Sequence, residues 1–192
     1  MSLKLNIIIG STRPGRGGPP IGQWLKEFAI AHGKFDVELV DLADFNLPLL
    51  DEAAHPVFQQ YEHEHTKRWS QSVAAADAYV FLTPEYDYFP PASLINAVQV
   101  LMREWARKPA GVVSYGGISG GLRASQPLRQ LVSTVNVHPI PQVVPIPVYG
   151  QFIGDDGVFR PNDPMIEGTK GMLDELYLWA GALKTMRLDA AA

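Results

Sequence analysis

Apolar and polar positions along this chain fall into blocks of two kinds. Short runs of aliphatic and β-branched residues carry little polar interruption, and longer stretches place apolar residues every three or four positions. Leu3 to Ile9 is the first run. It reads as a strand covered on both faces, because a sheet with one wet face would show a polar residue at every second place. Ile21, Trp24, Leu25, Phe28 and Ala29 then fall at i, i+3, i+4, i+7 and i+8, one face of a helix with Pro19 and Pro20 near its start. Val37, Leu39 and Leu42 predict a second strand, and residues 43–56 a long loop. Trp69, Val73 and Ala76 mark a second helical face, and Ala78 to Thr83 a third buried strand. Leu94, Val98, Leu101, Met102 and Trp105 predict one continuous third helix, and Gly111 to Tyr115 a fourth strand. Leu128, Leu131, Val132 and Val135 give a fourth helix. Val143 to Val148 gives a fifth strand, whose prolines suit only a sheet edge or an irregular strand. Asp156-Gly157 is a hairpin-like turn signal within Phe152 to Phe159, and a final helix carries Ile166, Met172, Leu173, Leu176, Trp179 and Leu183.

Strands that alternate with helices predict a parallel sheet with helices on both faces. At this length the pattern fits one domain, residues 1–192, in the flavodoxin-like order 2-1-3-4-5. Ligands in such sheets bind at the carboxyl ends of the strands, beside the point where strand order reverses, here between the first and third strands. The unusual loops fall there: GSTRPGRGG after the first strand, TPEYDYFPP after the third and SYGGISGG after the fourth. One site built from all three loops is the expectation.

Composition narrows the chemistry. A net charge of -4 argues against a nucleic-acid partner, which requires a basic face. With no cysteine, disulfides, thiolate metal sites and thiol catalysis are excluded. No run approaches the ~18 apolar residues of a membrane span. The apolar start is interrupted by Lys4 and Asn6 and is too short for a secretory h-region, so a cytoplasmic protein is expected.

Each loop has competing readings. Gly10 to Gly17 approaches the Walker A pattern, but Arg16 replaces its lysine and Gly17 its hydroxyl residue, which removes the groups that hold a triphosphate and its magnesium. The dinucleotide pattern G-x-G-x-x-G fails at Thr12. A monophosphate remains, held by backbone N–H groups at a helix N-terminus, Ser11, Thr12 and Arg13; the alternative is a glycine-rich turn with solvated arginines. In the second loop, prolines and tyrosines suit a preshaped slot for a flat ring, whereas Glu85 and Asp87 as a catalytic acid pair is the weaker reading. Gly117-Ile118-Ser119-Gly120-Gly121 matches the nucleophile elbow G-x-S-x-G. His138 is the only later histidine and no acid lies between it and Ser119, so the required triad order fails. His63 and His65 are two apart, which on a helix sends them to different faces, and a metal site is not expected.

Taken in order, IIIGSTRPGR, TPEYDYFPPASLINAV and KPAGVVSYGGISGGLRA resemble the NADPH-dependent FMN reductase family, which includes quinone, azo-dye and chromate reductases. The resemblance spans Leu5 into the last helix. It implies FMN as bound cofactor, NADPH or NADH as hydride donor, a small-molecule electron acceptor and ping-pong kinetics. It further implies a homodimer or homotetramer, with no nucleic-acid or membrane partner. By position, Ser11, Arg13 and Arg16 would bind the FMN phosphate. Pro84, Glu85, Tyr86 and Asp87 would line the ring, and Tyr115, Gly116 and Gly117 would close its other edge. No residue is implied as catalytic. The apolar face with Leu94, Leu101 and Trp105 is the expected contact between copies. Two positions depart from the family pattern: Asp87 stands for the usual Asn, and Leu94-Ile95-Asn96-Ala97 lacks the usual lysine. An ionised Asp87 near the ring would repel an anionic reduced flavin and lower its potential or its binding.

Overall fold

A computed structural model describes residues 2–189. Five strands, β1 (Leu3–Ile9), β2 (Phe35–Asp41), β3 (Ala78–Pro84), β4 (Lys108–Tyr115) and β5 (Val137–Ile146), form one parallel sheet in the order β2-β1-β3-β4-β5. This is the flavodoxin-like order, with its reversal between β1 and β3.

The apolar runs are continuous because each central strand feeds two cores. Leu5, Ile7 and Ile9 of β1, Ala78, Val80 and Leu82 of β3, and Val113 and Tyr115 of β4 face one side. There they pack under helices α1 (Gly18–His32) and α6 (Asp163–Asp189), through Ile21, Leu25, Met172 and Leu176 among others. Ile8, Tyr79, Phe81 and Val112 face the other side. That core lies under α3 (Glu64–Ala75), α4 (Ala92–Gln99) and α5 (Leu122–Thr134), and includes Trp69, Leu94 and Leu128. The one-turn helix α2 (Leu42–Phe45) follows β2 directly.

Several boundaries differ from the sequence reading. The second strand stops at Asp41, whose Oδ1 accepts the Ala43 N–H at 3.0 Å and so caps α2. The third helix ends at Gln99, and Arg103–Trp105 is a separate 3-10 turn. Two buried indoles accept this early end: Trp69 donates to the Ala97 carbonyl at 2.8 Å and Trp105 to that of Val98 at 3.2 Å, which supplies partners to carbonyls of the last helical turn. Leu94, Leu101 and Trp105, expected as a contact between copies, are at most 1% exposed and belong to the core. The fifth strand begins at Val137 and ends at Ile146, with an irregularity opposite Ala110 to Val112. Pro139 and Pro141 hid its first half, and an edge position tolerates them.

The stretch from Asn46 to His63 is pinned by buried polar groups. Asn96 bonds the Pro48 carbonyl at 2.7 Å and the Leu50 N–H at 3.0 Å. Glu104 accepts from Gln59, Tyr61 and Ser70 at 2.7–3.0 Å. His63 lies just before α3 in extended backbone. Its ring therefore stacks on that of His65 at 5.2 Å rather than diverging, and both imidazoles face Asp51. Among the described residues no cluster of His, Asp or Glu could hold a metal ion, and no helix is long and apolar enough to cross a membrane.

Candidate functional site

The parallel sheet brings the loops after β1, β3 and β4 to one end, and the chain after β5 joins them. Together they enclose a cleft of about 480 Å³. Arg13 and Arg16 line it from the first loop, Pro84, Glu85 and Tyr86 from the second, and Tyr115, Gly116 and Gly117 from the third. Val148, Tyr149 and Gly150 complete the wall, a fourth contribution absent from the sequence reading. The sequence pattern carries the fifth strand to Val148, whereas β5 ends at Ile146 and frees this segment to turn into the cleft. Backbone bonds explain the juxtaposition: Val148 N–H donates to the Gly117 carbonyl at 2.9 Å and Tyr149 N–H to that of Gly116 at 3.3 Å.

Two predicted residues stand apart from the lining. Ser11 is fully buried beneath the first loop, with its hydroxyl 2.9 Å from that of Tyr86 and accepting the Arg13 N–H at 3.4 Å. Asp87 is exposed at the tip of a tight turn. Asp87 and Tyr88 both take positive φ, 50° and 72°, while Tyr86 and Phe89 exchange two backbone bonds at 2.9 Å. A two-residue hairpin turn with both central residues left-handed favours Asn, Asp or Gly, so Asp87 has a conformational reason for its place.

The first loop carries two arginines in different situations. Arg13 is exposed, its guanidinium 6.0 Å from the Tyr86 ring centre. Arg16 is ion-paired, Nη2 to Asp41 Oδ2 at 2.5 Å, at the junction of β2 and α2. Its Nε is buried without a partner, and so is the Tyr115 hydroxyl. Tyr115 meets Tyr149 edge to face at 5.1 Å and is 2% exposed. Burial, helped by Tyr86 and Tyr149 and opposed by Arg16, raises the Tyr115 phenol well above its usual range, so it remains a proton donor.

The remaining loops are organised by local bonds. Glu85 accepts the Arg123 N–H at 3.1 Å and meets its guanidinium at 3.3 Å. Arg123 also lies 4.5 Å over the Tyr88 ring. With Glu85 engaged and Asp87 exposed at the tip, the two do not form an acid pair. Gly121, at φ 82°, starts α5 so close to β4 that a Cβ there would lie 2.7 Å from the Tyr115 nitrogen. Ser119 accepts the Gly121 N–H at 3.3 Å and shapes this turn. Its one candidate triad partner, His138, is at the opposite end of the sheet, near the start of β5.

The lining combines Pro84, Tyr86 and Tyr149 with glycine backbone, two arginines and two unpaired donors, which suits a flat ligand with an anionic tail. Residues 3–151 match the sequence profile of NADPH-dependent FMN reductase. The chain is 44% identical over 125 residues to an NAD(P)H-dependent FMN reductase of Schizosaccharomyces pombe, covering 64% of this chain and 62% of that one. It is 35% identical over 158 residues to an NAD(P)H-dependent FMN reductase of Saccharomyces cerevisiae, covering 76% and 82%. Its fold is similar to that of FerB, a flavoenzyme NAD(P)H:(acceptor) oxidoreductase from Paracoccus denitrificans, at a TM-score of 0.71 and 20% identity over 94% of this chain and 98% of that one.

Proposed function

This chain belongs to the NADPH-dependent FMN reductase family, and from that premise we propose that it is an NAD(P)H-dependent oxidoreductase working with FMN in the four-loop cleft. Electrons pass from a nicotinamide to a quinone-like, azo or other small acceptor. The cleft itself carries the reading, because its wall ends in buried donors that have no acceptor within the protein.

The residues present fit a phosphorylated flavin. Arg13 and Arg16 serve the phosphate end, and the Pro84–Tyr86 and Gly116–Gly117 segments serve the ring; Tyr115, expected at the ring edge, goes to the phosphate end because its hydroxyl reaches Gly18 at the start of α1. Ser11 supports the first loop from beneath, and Asp87 sets the turn beside the ring segment. FMN, when bound, would supply hydride and two-electron redox chemistry between a nicotinamide and the acceptor. The chain's own part is to bind and orient. Glu85 is engaged by Arg123 and Tyr115 stays protonated, so neither is assigned as a general base. A single cleft that receives donor and acceptor in turn gives ping-pong kinetics.

A cytoplasmic homodimer of one flavin-binding domain per chain completes the reading. Exposed Phe89, Ile118 and Leu122, close in sequence to the cleft-lining residues Tyr86 and Gly117, are the surface assigned to the second copy. The test is a visible spectrum: the full chain is mixed with FMN, desalted and given NADPH without oxygen. Retained yellow colour that bleaches supports a reductase. Retained colour that does not bleach indicates an electron carrier, and no retained colour overturns the flavin reading.

A further inference from the structure

We propose that the Tyr115 hydroxyl and Arg16 Nε bind the phosphate monoester of the ligand, in place of two helix amides that Pro19 and Pro20 remove. The inference rests on the flavin reading above.

An anion at a helix start is normally held by the N–H groups of the first turn. Helix α1 begins Gly18-Pro19-Pro20, and its preceding residue, Gly17, offers no side-chain cap. Proline has no N–H, so only Gly18 among these three residues can donate. The amide cradle is therefore short of two donors.

Two other donors stand beside it. Arg16 Nε and the Tyr115 hydroxyl are buried without partners, and both residues line the cleft. The phenol reaches from the end of β4 to the start of α1, where a Cβ on Gly18 would lie 3.2 Å from its oxygen. The same Cβ would come within 2.7 Å of Ile9 Cγ2, so glycine is required for the approach. Asp41 fixes Arg16 through Nη2, and its own Oδ1 is anchored on the Ala43 N–H, while Nε is the guanidinium nitrogen that is buried without a partner. Buried donors left unpaired are destabilising, and two of them on residues that line one cleft call for a ligand group that only accepts. A phosphate is such a group. Because Asp41 offsets the charge of Arg16, these donors act largely through directed hydrogen bonds, and Arg13 contributes the uncompensated charge.

The test compares FMN with riboflavin, which lacks the phosphate, by fluorescence titration of the flavin-free full chain and its Tyr115→Phe variant. The expected result is about a tenfold loss of FMN affinity with riboflavin affinity held within about twofold. Flavin-free Tyr115→Phe should melt at the same temperature as the parent or higher, since an unpaired hydroxyl has been removed. Equal weakening of both flavins would assign the hydroxyl to the ring or sugar and overturn the inference. Unchanged FMN affinity would overturn it as well, and so would a lower melting temperature of the flavin-free variant. A parent chain that binds neither flavin would overturn the flavin reading and this inference with it.

Discussion

The hydroxyls of Ser11 and Tyr86 lie 2.9 Å apart and join the loop after β1 to the loop after β3. The bond crosses the place where strand order reverses, so it fixes the two sides of the cleft relative to each other. Ser11 reaches no solvent there, and its contribution to binding is the rigidity of the first loop.

Tyr86→Phe deletes this bond and keeps the ring. The cost should be about 1 kcal/mol of stability, seen as a melting temperature lower by roughly 2–4 °C. FMN affinity should fall by several-fold as the first loop loosens. Unchanged melting would mean that Ser11 finds another partner.

Val148 lines the cleft in the left-handed conformation, at φ 47° and ψ 47°, which is costly for a β-branched residue. Its side chain is half exposed, so little burial is lost on removing it. Val148→Gly should raise stability by about 1 kcal/mol, measured by thermal melting, after the extra freedom of glycine in the unfolded chain is counted. Weaker flavin binding in that variant would show that the strain holds a useful wall in place.

Lys108 gives the protein an alkaline stability gradient. Its amino group is buried at the start of β4, donating to the carbonyls of Val73 and Ala74 at 2.8 and 3.0 Å. Burial, reinforced by Arg187 against Asp77 and Glu104, pushes its pKa down to about 7. An unfolded lysine titrates near ~10.4, so between these values the unfolded chain binds a proton that the folded one releases. Unfolding free energy from this group therefore rises with pH across that window, by at most ~1.4 kcal/mol per unit, and is flat below it. Denaturant titrations at pH 7, 8 and 9 should show the rise, and Lys108→Met should lose it. A rise that persists in the variant would assign it elsewhere.

Asp87→Asn keeps a residue that tolerates the left-handed turn and removes one negative charge beside the ring segment. The flavin midpoint potential should rise, and the melting temperature should stay within about a degree of the parent. A potential that does not move would confine Asp87 to its conformational role.

Sheet order was legible because the central strands announce themselves. Leu5 to Ile9 and Ala78 to Leu82 are buried on both faces and contain almost nothing else. The start of β5 was not, because Pro139 and Pro141 read as breakers until an edge position is known. Eight of the ten proposed cleft residues line one cavity, since loop position follows directly from strand order. The Val148–Gly150 segment was missed because the fifth strand was carried two residues too far. Burial of Ser11, the pairing of Arg16 with Asp41 and the stacking of His63 on His65 depend on contacts between distant segments, for which local pattern carries no signal.

The prolines of β5 act beyond this chain. An outermost strand offers unpaired backbone groups to any neighbouring molecule, and a parallel sheet with two such margins is a template for growth unless they are blunted. Pro139, Pro141 and Pro145 interrupt the row of donors along one side of the sheet. The other outer strand, β2, sets Asp36 and Glu38 among its apolar residues. Neither margin invites an incoming strand. At high concentration the protein is thereby guarded against joining sheet to sheet into fibres, and copies that associate must do so through helices and loops.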